Sequence, residues 1–220
     1  MARKKKSPQD AAINAALTLA EGRPWREVRL ADIAAEAGLS LAQLAEVAGD
    51  KTELLRLFTR RTDVALLKSL ESEPVEGESH DRLFDILMRR FELMAPYRKA
   101  IQRILASPPE APSDWLKLLS SALETQTWVL AAAGIEDEGA RGTLKRNGLA
   151  LVYARALRTW ANEEDAGMPR TMATLDRALR DGETWLKRAE TPVALFTAAS
   201  GVLRGLLRRR TPDAPSPQNN

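Results

Sequence analysis

Apolar residues return every three or four positions along almost the whole chain, and no run alternates with period two. The pattern predicts helices throughout and an all-α fold. A first helix is expected from about Asp10 to Glu21, with Ile13, Leu17 and Ala20 on one face and Gly22 closing it. Arg23 to Arg29 form a connector around Pro24 and Trp25. Two short helices follow at Leu30–Ala37 and Leu41–Ala48, then a longer one from Lys51 to about Ser69. The stretch Glu71 to Ser79, with Pro74, Gly77 and four glutamates, reads as a solvated linker. Further helices are expected near 81–94, 96–106, 113–133, 138–162, 171–189 and 192–209, broken at Ala95-Pro96, Ser107-Pro108-Pro109, Gly134, Glu163–Pro169 and Thr191-Pro192. The domain plan is a three-helix unit over 1–70 with a basic arm, a linker over 71–80, a helical bundle over 81–210 and a disordered tail over 211–220.

The most informative stretch joins the two short helices. Ile33, Ala34 and Ala37 occupy the inner face of the first, and Gly38 supplies the left-handed residue that ends it. Leu39 fills the corner. Ser40, with Gln43 three residues on, makes a capping box that starts the second helix. The small Ala34 and Ala35 permit the close, steep crossing of a helix-turn-helix. Asp50 and Glu53 repeat the capping logic for the next helix.

Composition narrows the chemistry. The 220 residues include 33 basic and 30 acidic side chains, a net charge of only +3, and 44% are apolar, which suits a packed core. Basic residues crowd the ends: Arg3, Lys4, Lys5 and Lys6 at the start, Arg204, Arg208, Arg209 and Arg210 near the finish. With no cysteine and the single histidine His80, disulfides, thiolate zinc sites and multi-histidine metal clusters are excluded. The basic start runs into polar residues, not an apolar signal region, and no apolar run approaches the roughly 20 residues of a spanning helix. A cytoplasmic protein is expected.

Residues 11–60 resemble the DNA-binding domain of the tetracycline-repressor family. The likeness rests on Ala16-Leu17, the run Leu30–Ser40, Leu44, Gly49-Asp50-Lys51 and Glu53-Leu54-Leu55. It implies a three-helix reader followed by a larger bundle that dimerises and holds a small ligand, and hence a ligand-responsive transcriptional regulator whose partner is a double-stranded DNA operator. In such a reader the second helix of the motif enters the major groove. The groove-facing candidates are Leu41, Ala42, Gln43 and Glu46 behind the cap Ser40, with Gln43 able to make a bidentate contact to adenine. Lys51 matches a position that meets phosphate in the family, where the helix N-terminus adds its own attraction for an anion. No Lys or Arg occurs from Leu30 to Asp50, so phosphate contacts must come from Arg3, Lys4, Lys5, Lys6, Arg29 and Lys51. The aromatic and histidine positions common after Leu44 in the family are Ala45, Val47 and Ala48 here.

A second resemblance covers Asp81 to about Trp185. Trp128 to Ile135, the Tyr153–Trp160 helix and Thr171 to Arg177 are similar to the lipid-binding family of coenzyme Q biosynthesis, which shares the fold. It implies the alternative function of a lipid-binding or adaptor protein without DNA. The last helix bears the stripe Leu195, Phe196, Ala199, Val202, Leu203, Leu206 and Leu207 beside its arginines. Such a stripe packs on a bundle, or on a second subunit, more commonly than on a membrane surface. The helices 138–162 and 171–189 are the expected homodimer seam, through Gly148, Leu149, Val152, Ala156 and Leu157 on one and Leu175, Ala178 and Leu179 on the other. Phe84, Met88, Phe91, Met94, Trp115 and Trp128 are the candidate pocket for a small apolar or lipid-like ligand; the same residues at helical spacing also read as plain core.

No enzyme is expected. Ser79-His80-Asp81 are adjacent and cannot form a relay; Ser79 or Asp81 reads as a helix cap. Glu163-Glu164-Asp165 reads as a solvated turn, and Gly139-Ala140-Arg141-Gly142 lacks the spacing of a phosphate loop. No catalytic residue, metal site or cofactor is predicted.

Overall fold

The computed structural model describes residues 7–107 and 111–184. The arm Arg3 to Lys6, the expected last helix 192–209 and the tail 211–220 therefore lie outside the described residues, as does any membrane contact through that helix. The described elements are α1 (Pro8–Gly22), α2 (Leu30–Ala37), α3 (Leu41–Val47), α4 (Lys51–Ser72), α5 (Ser79–Met94), α6 (Arg98–Leu105), α7 (Pro112–Ala132), α8 (Gly139–Ala161) and helical residues 169–184, here α9. Among the described residues there is no strand, and no helix is long and apolar enough to cross a membrane.

Local chemistry sets the boundaries. The helix α1 begins two residues earlier than its apolar pattern, because the Ser7 hydroxyl accepts from the Asp10 amide and Pro8 follows at the first turn, where its missing N–H costs nothing. The expected breaks at Ala95-Pro96 and Gly134 occur, the second with Gly134 at φ 65°, and the one expected at Glu163–Pro169 ends one residue sooner, with helix resuming at 169. The expected caps at Ser79 and Asp81 do not: Glu78 is the N-cap of α5 and both residues lie inside the helix.

The solvated turn expected at Glu163 is also corrected. Glu163 is buried, and its carboxylate accepts from the Arg170 amide, the Thr171 amide and the Thr171 hydroxyl at 2.8, 2.8 and 2.6 Å. It caps the start of α9, whose first amides would otherwise be orphaned. Burial pushes its pKa up, but these hydrogen bonds outweigh burial and hold it below the ordinary glutamate value.

The helices α1, α2 and α3 enclose a small core of Ala12, Ile13, Leu17, Ile33 and Leu44. That core continues into the bundle without a gap. Helix α1 also packs on α6, and α4 packs along α7 and α5, so residues up to Gly182 form one unit. The connection between α4 and α5 is shorter than the expected linker, since α4 persists to Ser72. Arg89 ties it down by donating to the Ser69 and Glu73 carbonyls.

At the centre of the bundle sits a charged pair. Arg90 on α5 is 3% exposed and bonds Asp63 of α4 at 3.0 Å. The other carboxylate oxygen of Asp63 accepts from the Thr125 hydroxyl of α7 at 2.8 Å, and Arg90 also donates to the Tyr153 hydroxyl of α8. Burial opposes the Arg90 charge, yet Tyr153 and Asp63 together hold its pKa above the ordinary arginine value. Four helices thus meet at one satisfied network, with Phe91 stacked on Tyr153 and Trp160 beside it.

Candidate nucleic-acid interface

The corner between α2 and α3 forms as its residues dictate. Gly38 has φ 66° and ψ 32°; its amide donates to the Ala35 carbonyl and the Leu39 amide reaches back to Ala34. This is the Schellman arrangement, which satisfies carbonyls that a helix end would leave orphaned. Ser40 and Gln43 then close a reciprocal capping box: the Gln43 amide donates to the Ser40 hydroxyl at 3.1 Å, and the Ser40 amide donates to Gln43 Oε1 at 2.9 Å. Only Ala34 of the expected small pair is buried at the crossing; Ala35 faces outward.

One face of α3 is anchored and the other is free. Leu44 is buried against α1, while Leu41, Ala42, Gln43, Ala45 and Glu46 are exposed, Leu41 at 60%. A large apolar side chain held outward at the first position of a short capped helix has no role in the core. Of the four groove-facing candidates, all four lie on this outer face. Gln43 carries a constraint that its spacing did not reveal: its Oε1 already accepts from the Ser40 amide, so a bidentate contact to adenine must use the second lone pair of that oxygen or displace the capping bond.

The cations expected to meet phosphate are arranged differently from the expectation. Lys51 does not point free. Its Nζ donates to the Trp25 carbonyl at 3.0 Å and lies 5.2 Å from the Trp25 ring centre. The α4 N-terminus is also partly filled, because Asp50 accepts from the Glu53 amide at 2.7 Å and pairs with Lys117 of α7. Burial pushes the Asp50 pKa up, but the Lys117 ammonium together with the Glu53 and Thr52 amides holds it below the ordinary aspartate value. A resident carboxylate competes with any phosphate at that helix end. Arg29, at the N-cap of α2, is exposed; its amide is held by Asp32, whose pKa that bond lowers, with Arg23 pairing the same carboxylate at 2.6 Å. Sequence reasoning missed Arg26, whose side chain is 70% exposed in the turn after Trp25. It sits at the same corner as Lys51, and the signal was its place beside a buried tryptophan.

No family model and no curated protein matches the chain. Solved structures do. A TetR transcriptional regulator from Nitrosomonas europaea superposes with a TM-score of 0.64 at 26% identity, covering 80% of this chain and 97% of that one. A TetR transcriptional regulator from Rhodococcus sp. gives 0.58 at 18% identity, over 82% and 97%, and a TetR-family regulator from Streptomyces coelicolor gives 0.50 at 18%, over 90% and 99%. The chain has the TetR-family fold. The neighbours are regulators of that type, and the likeness to the coenzyme Q lipid-binding family gains nothing from them.

Within that fold, two groups of expected residues are placed otherwise. The six pocket candidates do not converge. Met88, Phe91 and Met94 are buried in the core and Phe84 is half-buried. Trp115 and Trp128 are 55% and 53% exposed on α7. Helical spacing put these side chains on plausible faces, but α7 turns its other face, with Thr125, Gln126 and Val129, to the core. The expected dimer seam is likewise consumed inside the chain: Leu149, Val152, Ala156, Leu175, Ala178 and Leu179 are all buried where α8 and α9 meet the bundle. The outward residues of these helices include Leu151, Met172, Arg155, Arg158 and Arg170.

Proposed function

We propose that this chain is a cytoplasmic, homodimeric, ligand-responsive transcriptional regulator that binds an operator in duplex DNA. The observation that carries the reading is the outer face of α3: a helix of seven residues, closed at its N-terminus by the Ser40–Gln43 capping box, pinned by Leu44 and presenting Leu41, Ala42, Gln43 and Glu46 to solvent. That is the geometry by which a helix-turn-helix offers side chains to base edges in the major groove. Base contact comes from Leu41, Ala42 and Gln43, and phosphate contact from Arg26, Arg29 and the arm Arg3 to Lys6. Lys51 acts chiefly by fixing the turn at Trp25.

The response to a ligand runs through α4. Because Asp63 of α4 is bonded to Arg90, and through the same network to Thr125 and Tyr153, a ligand that parts α5, α7 and α8 must move α4. The reading helix moves with it. A ligand shifts such an equilibrium only by its differential affinity for the two arrangements.

Salt titration of binding to random and to upstream genomic DNA, followed by fluorescence anisotropy, tests the reading. The expected result is a linear fall of log K with log salt, with a slope near −0.9 per phosphate neutralised, and a tighter subset of genomic fragments. Absence of binding to any DNA at low salt would overturn it.

A further inference from the structure

The α1–α3 unit meets the bundle along two seams of different kind. One is apolar: α1 packs on α6, whose Ala100 and Ile101 are buried. The other is polar and passes through one side chain. Arg61, near the middle of α4, donates from Nη1 to Asn14 Oδ1 at 3.0 Å and to Asp10 Oδ1 at 3.4 Å. Its guanidinium also lies 5.6 Å from the ring centres of both Phe58 and Tyr97, two rings set edge to face at 5.3 Å. Tyr97 closes the turn Ala95–Tyr97 that leads into α6. One cation therefore touches α1, its own α4 and the α5–α6 turn at once.

The two seams constrain the unit differently. Apolar burial is non-directional, so by itself it selects no single rotation of one helix on another. A planar guanidinium donates in fixed directions. Asp10 and Asn14 stand one turn apart on α1, so a donor shared between them fixes both the roll of α1 and its place along its axis. The two rings hold the same guanidinium from the bundle side. A groove of about 490 Å³ opens beside Arg61, bordered by Ala65, Leu93 and Tyr97. The joint is thus held by bonds and ring contacts and not by filled volume. A pair with the Arg61 side chain 25% and the Asp10 side chain 43% exposed contributes little to stability, so its loss leaves the fold intact.

We infer that Arg61 is the positioning residue that fixes the angle of the α1–α3 unit on the bundle, and with it the spacing at which two copies present α3 to a pair of half-sites. The consequence for half-sites rests on the DNA reading; the joint itself does not.

Arg61→Met tests it, with DNA enriched from a random pool by the wild type. Two linked heads bind with an effective concentration set by their geometry, whereas a single half-site asks nothing of their spacing. Affinity of Arg61→Met for a fragment with both half-sites should fall about 10-fold, while affinity for one half-site stays within about twofold and the thermal melt remains cooperative. Arg61→Lys keeps the charge without the planar fork and should match Arg61→Met. Equal losses on both fragments, no loss on either, or full recovery by Arg61→Lys overturns the inference. Because the chain has no cysteine, nitroxides at Glu36→Cys and Glu92→Cys, both exposed, report the same angle without DNA. Doubly labelled chain diluted into unlabelled protein gives the intrachain distance by pulsed electron resonance. Its distribution should be narrow in the parent and broader with Arg61→Met. An unchanged distribution overturns the joint. A broadened one, beside a wild type that binds no DNA, supports the joint and overturns the DNA reading.

Discussion

Helices α3 and α4 adjoin in sequence and solve opposite problems. The first has seven residues, almost no charge and one buried anchor, Leu44; it is held by a capping box at its N-terminus and shows Leu41, Ala42, Gln43, Ala45 and Glu46 to solvent. The second has 22 residues and is fastened along its length by charge: Asp50 to Lys117, Arg56 to Glu53 and Glu124, Arg61 to Asp10 and Asn14, and Asp63 to Arg90. The contrast separates two tasks. Under the proposed function, sequence reading falls to a helix whose outer side chains the core does not use, and positioning to a helix tied to its neighbours along its length. A poorly charged α3 is consistent with base readout, because phosphate contacts fix register while base edges carry specificity.

The largest expected effect breaks the attachment of α4. Replacing Arg90 by Met leaves the Asp63 carboxylate buried without its partner, and urea unfolding should show a loss of about 3–5 kcal/mol. The double variant Arg90→Met/Asp63→Leu should regain most of that, since removing both charges removes the desolvation cost. A double variant no better than the single one would mean that the pair acts through shape alone.

Glu163→Gln comes next, at about 2 kcal/mol, because it weakens a buried carboxylate that accepts three hydrogen bonds. The folded pKa of Glu163 lies below its ordinary value of 4.5. Its contribution is therefore complete above that value and is lost as pH falls through the folded pKa. Urea midpoints of the wild type should drop over that acid interval more steeply than those of the variant; parallel curves would contradict the cap.

A smaller effect probes α3. At Gly38 an added Cβ meets nothing within 4 Å, so Gly38→Ala should cost about 1 kcal/mol through the left-handed backbone alone. A much larger loss would show that the corner is packed against something.

The fold was largely legible in the chain, and so was the hydrogen bonding of the corner. A glycine, a serine and a glutamine at fixed spacing state their hydrogen bonds locally, and Gly38, Ser40 and Gln43 make the bonds that spacing predicts. What required long-range contact was hidden. Asp63, Arg90 and Tyr153 lie far apart in sequence, and a buried arginine looks like any other helical arginine until its partner arrives from another helix. Trp115 and Trp128 show the converse: helical periodicity gives a face but not which face the bundle buries. The solvated turn expected at Glu163 fails because an acidic triplet is usually solvated, and only the start of α9 six residues on turns one carboxylate inward.

The central claim is that the outer face of α3 meets DNA, and Ala42→Glu addresses it most directly. Ala42 is exposed in the first turn of α3, where an acidic residue suits the helix dipole, so the fold should melt unchanged. With DNA enriched from a random pool by the wild type, anisotropy at one fixed salt concentration should show binding weakened by about 100-fold, as a carboxylate is forced against the groove. Equal affinity of the two proteins for the same fragments would contradict the account.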